Sequence, residues 1–337
     1  SHLNVRAAGL TAPDLTVAAD AGAPPCLIVN PRSFSASRGL AQQASALART
    51  HGAEIVNVDG PAALRAAVES ILARRQRTVM VLAGDGTVCA IVDQLSNLAP
   101  GAWTPDLLIL PGGRTNLTAV DLGTGSQALP TLKRVLSMAR DQRGNVAVEE
   151  RCALRIEQSP APARHGFFFS AALIDSATRQ CHQRRIDRNE HGPFTTLSYL
   201  LKLGVLALFG RTALVCPTLS VDAQGCGTQQ GPVCLLMAST LSHRKGLFDP
   251  YAARGQGDVR MMSVSRDAPG IWRSLPRLLT GRYSKAMNAD NGYVSGRCTQ
   301  VDISGLSGYM LDGEPFDADP DRPVTITAGR RLRFLKP

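Results

Sequence analysis

From Cys26 onward, short unbroken apolar runs alternate with stretches in which apolar residues recur every three or four positions. Cys26-Leu27-Ile28-Val29-Asn30 reads as a buried strand, and Ala36 to Arg49 has the Ala/Leu/Gln composition and spacing of a helix. A short strand fits Glu54 to Val58, and a helix follows over Pro61 to Arg74, where a proline in the first turn is tolerated. Thr78 to Ala83 is a third strand, Val88 to Leu95 a helix after a glycine turn, and Leu107 to Leu110 a fourth strand that ends at Pro111-Gly112-Gly113. Strands alternating with helices from residue 26 to about 140 predict a layered α/β domain whose sheet is mostly parallel, with ligands at its strand ends.

After about residue 145 the texture changes. Cys152 to Ile156, Gly166 to Ala172, Val233 to Ala238, Val259 to Val264 and Val324 to Ala328 are apolar runs separated by Gly, Pro and polar turns, the pattern of an antiparallel, β-sandwich-like domain. One helical interruption is expected near Phe194 to Phe209; its nearly all-apolar surface reads first as a core helix and second as a membrane-dipping element. Residues 1–25, rich in Ala, Pro, Thr and Gly without an apolar period, read as a flexible arm. The expected division is thus 1–25 arm, 26–145 α/β nucleotide-binding domain, 146–320 β-rich acceptor domain, and 321–337 a strand region returning toward the first domain.

Composition and charge refine this outline. With 44% hydrophobic and 19% charged residues over 337 positions, the chain is ordinary globular material. No run approaches the roughly 18 unbroken apolar residues of a spanning helix. The start, Ser1-His2-Leu3-Asn4, lacks the basic and apolar blocks of a signal peptide and reads as a tag remnant, so the expected location is cytoplasmic. The eight cysteines form no C-x-x-C pair and read as reduced core residues. Of the net charge of +10, only +1 falls in residues 1–150 and +9 in residues 151–337. That excess attracts a polyanion, and in the absence of a basic stripe interleaved with aromatics an anionic bilayer surface is expected rather than nucleic acid. Oligomeric state is left open, a homodimer being one outcome.

The segment with most chemistry is Val81-Leu82-Ala83-Gly84-Asp85-Gly86-Thr87, a strand running into a glycine turn that holds an acid. Glycines let a backbone approach phosphate oxygens, and N–H groups at a helix start stabilise their charge. An acid beside phosphate suits a Mg²⁺ ion or a proton transfer, although the same turn is also an ordinary strand-to-helix junction with Asp as its cap. Asn30-Pro31-Arg32-Ser33 and Pro111-Gly112-Gly113-Arg114-Thr115-Asn116 close two further strands of the same sheet with polar turns. Three such ends converge on one rim, as a nucleotide crevice requires. No segment fits the P-loop or the G-x-G-x-x-G dinucleotide pattern.

Taken in order with Asp312-Gly313-Glu314, these segments resemble the diacylglycerol kinase catalytic-domain family, which includes bacterial lipid kinases, sphingosine kinases and ceramide kinases. The resemblance runs over roughly residues 26–330. It implies an α/β domain followed by a β-sandwich-like domain, with ATP and Mg²⁺ between them and phosphorylation of a lipid hydroxyl, on diacylglycerol or a ceramide or sphingoid base. It implies that Asn30, Pro31, Arg32, Ser33, Gly84, Asp85, Gly86, Thr87, Gly113, Arg114, Thr115 and Asn116 form the nucleotide site, with Asp85 near phosphates or metal. Asp312 matches the family's base, Glu314 its acidic companion, and Asp175 an acid near the acceptor. On its own Asp312-Gly313-Glu314 is only a hairpin-like turn with two acids.

Several positions depart from the family pattern. Ala83 replaces the first glycine of the turn, Arg114 stands where Thr is usual, Leu117 where Asp is common, Ala90 where Glu often follows, and Leu173 where Gly often precedes Asp175. The missing carboxylate at 117 weakens the case for a complete metal shell, while Arg114 supplies a cation for phosphate. The competing readings are a non-catalytic lipid- or nucleotide-binding homologue and an NAD kinase, whose Asn-Glu pair after the turn is missing here.

Overall fold

The computed structural model describes residues 23–32, 39–112, 119, 121–122, 124, 127–141, 146–172, 216–241 and 249–336. The expectations for Ser33, for Gly113 to Leu117, for Asp175 and for a helix over 194–209 lie outside the described residues.

The first half builds as its period-2 and period-3.6 patterns dictate. Strands β1 (Cys26–Val29), β2 (Glu54–Asn57), β3 (Thr78–Ala83) and β4 (Asp106–Pro111) pair in parallel in the order β2-β1-β3-β4. Between and after them run α1 (Leu40–Thr50), α2 (Pro61–Ala73), α3 (Asp85–Ser96) and α4 (Ala128–Asp141). Cys26, Ile28, Val79, Val81, Leu107 and Ile109 face α2 and α3, which bury Leu64, Ala67, Val68 and Ile71 and Val88, Ile91, Val92 and Leu95 at i, i+3, i+4, i+7. The alternate residues Leu27, Val29, Met80, Leu82, Leu108 and Leu110 pack with Ala44 and Ala48 of α1 and Leu132, Val135 and Leu136 of α4. A parallel sheet covered on both faces accounts for strands that are apolar at almost every position.

The second half is antiparallel. Its strands are β5 (Ala147–Glu157), β6 (Arg164–Gly166), β7 (Phe168–Ala172), β8 (Thr218–Ala223), β9 (Gly227–Ser239), β10 (Val259–Ser265), β11 (Tyr293–Cys298), β12 (Gln300–Ser304), β13 (Gly308–Leu311), β14 (Glu314–Asp317) and β15 (Val324–Lys336). β9 serves two layers: residues 227–232 pair with β8, and the rest with β7 and β10. The switch falls at Gly231, whose φ of 122° only glycine adopts readily, followed by Pro232. Between the layers lies a core that includes Phe169, Val221, Leu236, Met261, Val294, Ile303 and Ile326. β15 joins the halves, running antiparallel to β5 and β12 and then pairing in parallel with β4 through Arg333↔Asp106 and Phe334↔Leu107.

The structure corrects several boundaries. α3 begins at Asp85, not Val88, so Gly84 is its N-cap and Asp85 its first residue; the glycine turn is the helix's own first turn. β2 stops at Asn57, and β5 starts at Ala147, five residues before Cys152, because pairing with β15 extends it through the polar stretch Glu149 to Arg151. A short helix unseen in the sequence, α5 (Ile271–Leu279), lies in the β-rich half; it contains Pro276, which masks its period. The seven described cysteines are free; Cys26, Cys152, Cys234 and Cys298 are core residues, whereas Cys89, Cys216 and Cys226 are only half-buried. Among the described residues no helix is long and apolar enough to cross a membrane.

Phe334 is 1% exposed in the core beneath α3. Phe334→Ala is expected to cost about 3–5 kcal/mol in a urea titration, because it leaves a cavity where the last strand meets β4.

Candidate active site

The parallel strands end on one edge. There Asn30, just past β1, donates Nδ2–H to Thr87 Oγ1 of α3 at 2.8 Å, while its Oδ1 accepts the Arg32 N–H at 2.9 Å. The Asn side chain thus ties the end of β1 to the start of α3. The end of β4 comes so close to β3 that a Cβ on Gly112 would stand 2.5 Å from the Ala83 nitrogen, which excludes any other residue there.

The second half brings a hairpin to this edge. Asp312-Gly313 is the two-residue turn between β13 and β14, with φ of 51° and 89°, the left-handed pair of a type I′ turn. The Asp312 carboxylate does not project into solvent; it accepts the N–H groups of Phe167 at 2.9 Å and 3.1 Å and of Phe168 at 2.9 Å. The Cys89 thiol of α3 lies beside the same carboxylate and favours its charged form. A Cβ on Gly166 would lie 2.3 Å from Asp312 Oδ2, so the close approach of β6 to the hairpin also requires glycine. Stacking of Phe169 on Tyr309, and of Tyr309 against Phe316, fixes the hairpin, and the Arg164 guanidinium lies 4.3 Å from the Phe316 ring centroid.

Burial pushes the Asp312 carboxyl up to about 6; the Cys89 thiol and the two amides lower it, and the nearby Asp85 charge raises it. The Cys89 thiol in turn is pushed well above its ordinary value, by burial first and then by Asp312.

These groups line a cavity of about 430 Å³, within the size range of small-molecule sites. Of the residues singled out in the sequence, Asn30, Gly86, Thr87, Asp312 and Glu314 line it. Asp85 opens α3 and couples electrostatically to Asp312, with Gly84 as the helix cap, while Pro31 and Arg32 are exposed next to Asn30 without lining the cavity. The sequence reading missed Cys89, Asp93, Arg164, His165 and Phe316, which also line it. The spacing of Asp85, Cys89 and Asp93, i, i+4 and i+8 on one helix face, was the available signal for two of them.

Gly60 and Gly86 on the cavity wall have no protein atom within 4 Å of where a Cβ would stand, and neither needs a positive φ. Neither packing nor conformation requires glycine at these two positions, and the missing side chains leave the backbone there open to the cavity. Both glycines sit at helix starts, the N-cap of α2 and the first turn of α3, where N–H dipoles favour an anion.

The raised Asp312 pKa has a sign that stability measurements can check. The folded state binds more protons than the unfolded state between about pH 4 and 6, so this group's contribution to stability falls as pH rises through that window. Relative to wild type, Asp312→Asn is expected to gain stability from pH 4 to pH 7, read as the difference in urea midpoints.

Residues 24–147 match the family model described as the diacylglycerol kinase catalytic domain. No curated protein matches the chain. Among solved structures, it is similar to a candidate diacylglycerol kinase from Bacillus anthracis str. Sterne at 13% identity, with a TM-score of 0.66, covering 94% of this chain and 98% of that one. A diacylglycerol kinase from the same organism aligns at 12% identity and TM-score 0.60, covering 94% and 97% of the two chains. At these identities the structural likeness is one of fold. Over residues 24–147 the chain is thus similar to the diacylglycerol kinase catalytic domain, and its fold resembles those two solved structures over nearly its whole length.

Proposed function

We propose that the protein is an ATP-dependent lipid kinase that transfers the γ-phosphoryl group to a lipid hydroxyl. The observation that carries this reading is Asp312, a half-buried carboxylate oriented by two amides, beside the Cys89 thiol, in the same cavity as the first turn of α3. The triphosphate would lie against Gly86, Thr87 and the N-terminus of α3, with Gly60 close by. The acceptor oxygen attacks the γ-phosphorus, its proton passes to Asp312, and the bond from γ-phosphorus to the β–γ bridging oxygen breaks to release ADP. With its carboxyl at about 6, Asp312 is ionised at neutral pH yet basic enough to take that proton. Glu314, across the hairpin, adds negative charge at the mouth.

Mg²⁺ fits the residues present. It commonly keeps most of its waters and takes one or two carboxylates plus nucleotide oxygens; Asp85 at the start of α3 would be the carboxylate to hold it. Among the described residues no group of three or more His, Cys, Asp or Glu forms an all-protein metal site. When bound, the ion would neutralise charge on the phosphates.

The acceptor would be met at an anionic membrane surface. Between Arg266 and Lys285 the chain has five basic residues, all exposed, and a single acid, Asp267. Arg273 and Arg277 are one turn apart on α5, whose Ile271 and Leu278 pack in one cluster with Phe168, the residue whose amide holds Asp312. The basic stretch thus packs in the same cluster as the residue whose backbone amide holds Asp312.

Labelled ATP offered with a panel of diacylglycerol, ceramide and sphingosine is expected to yield labelled lipid, with activity declining below about pH 6. Asp312→Asn should reduce turnover roughly 10²- to 10⁴-fold while nucleotide still binds. Absence of labelled lipid with every acceptor, despite nucleotide binding, would defeat the kinase reading. In sedimentation with vesicles, Arg273→Glu combined with Arg277→Glu should weaken binding to phosphatidylglycerol-containing bilayers roughly tenfold or more. Unchanged binding would remove α5 from the membrane contact.

A further inference from the structure

Asp93 lines the cavity without a part in the chemistry just described. Its Oδ1 accepts the backbone N–H of His165 at 2.8 Å, and His165 Nδ1 lies 3.0 Å from the same oxygen. The His165 ring is 2% exposed. It is confined on another side by β15, where a Cβ on Gly329 would stand 3.1 Å from the ring.

What happens next along the chain gives this contact its consequence. β6 pairs with β5 through Arg164, His165 and Gly166, whereas β7, beginning at Phe168, pairs with β9 and β13. Phe167 sits at the step between these partners, outside both strands. Its amide and that of Phe168 are the two that orient Asp312. Ladder pairing with β5 holds β6 by only three residues; the far side of the step is held by Ser239 Oγ, which donates to the Phe167 carbonyl at 2.8 Å, and the near side by what anchors His165. Hydrogen bonds run from α3 through Asp93 to His165 and, past Gly166, from the amides of Phe167 and Phe168 to Asp312, whose carboxylate lies beside Cys89 of the same helix.

We propose that Asp93 is a positioning residue for Asp312: by anchoring His165 it places the Phe167 and Phe168 amides, and through them sets the carboxylate relative to the phosphate-binding turn at the other end of α3. Asp85, Cys89 and Asp93 then share one helix face with distinct tasks, at the phosphates, at the proton acceptor and at its support. The consequence for turnover rests on Asp312 being the proton acceptor; the structural coupling does not. The other charged groups around Asp312 are Asp85 on α3, Glu314 on its own hairpin and Arg164 beside His165, and none of them bonds the His165 amide.

The test compares Asp93→Ala with Asp93→Asn, which keeps a side-chain oxygen able to accept the His165 N–H. Displacing a reacting group by about 1 Å costs on the order of a hundredfold. Asp93→Ala should therefore lower kcat roughly ten- to a hundredfold with KM for ATP nearly unchanged, and Asp93→Asn should recover most of the loss. Amide hydrogen exchange of the nucleotide-free protein reads the same coupling without turnover. Phe167 and Phe168 should exchange at least about tenfold faster in Asp93→Ala, while Val81 in β3 and Met261 in β10 keep their wild-type rates. Wild-type exchange at Phe167 and Phe168 in Asp93→Ala, or an Asp93→Asn variant as impaired as Asp93→Ala, would overturn the proposal. If wild type phosphorylates no acceptor, the exchange result still decides the positioning role. Should Asp93→Ala fail to fold, Asp93→Glu decides: it shifts the oxygens by one methylene, and the same local exchange and kcat changes are expected, with wild-type behaviour overturning the idea.

Discussion

The pairing of β15 with β4 is the constraint on which the rest of the molecule depends. Without it the parallel sheet and the antiparallel layers would meet only through contacts such as those of Asp93 with His165 and of Arg330 with the Leu95 and Ala102 carbonyls. With it, residues more than two hundred positions apart share one ladder. Asp106, 3% exposed at that junction, is offset by the guanidiniums of Arg333, 2.8 Å away, and Arg77, 3.5 Å away. Burial still pushes its carboxyl above the ordinary range. A buried pair of this kind is weak evidence for net stability, since desolvation consumes most of the attraction, but removing one partner would strand the other. Its value here is register, because Arg333 opposite Asp106 fixes how far β15 advances along β4. The β13–β14 hairpin precedes β15 in the chain, and its tip lies against α3 through the Cys89–Asp312 contact.

The cavity is a product of that meeting. One wall is the C-terminal rim of a parallel sheet, where helix starts present N–H groups; the other is the hairpin and β6. Asp312 is caught between opposing effects. Withdrawal from water favours its neutral form, whereas two amides and a thiol favour its charge, and withdrawal wins by enough to leave the carboxyl at about 6. A left-handed Asp at a two-residue turn is ordinary for a solvated hairpin tip. What makes it chemical is that the carboxylate turns inward to groups contributed by the step between β6 and β7, by β7 and by α3.

Much of the first half was legible because local physics decides it. Val79, Val81, Leu107 and Ile109 on one face, with Met80, Leu82, Leu108 and Leu110 on the other, require a sheet covered on both sides, and the i, i+3, i+4, i+7 spacing of Leu64 to Ile71 specifies the covering helix. The helix α5 was hidden by Pro276, and the true length of β5 by polar residues that a long partner strand tolerates. Cys89 read as a core cysteine because its helix does bury apolar neighbours; its spacing from Asp85 and Asp93 puts it on their face of the helix but does not say that this face meets Asp312. His165 and Arg164 stood in no pattern at all, since a three-residue strand has too short a period to detect.

The sequence by itself determined the parallel α/β layer, the polar strand ends at Asn30 and Gly84 to Thr87, and the resemblance carried by their order with Asp312. These depend on spacing along the chain, and spacing is what a sequence records. Tertiary structure decided that Asp312 is desolvated, that Asp93 and Cys89 reach it or its support, and that Gly60 and Gly86 leave open space beside two helix starts. Burial, hydrogen-bond partners and empty volume are properties of segments brought together from distant positions. They become definite only once β15 has closed the antiparallel half onto the parallel one.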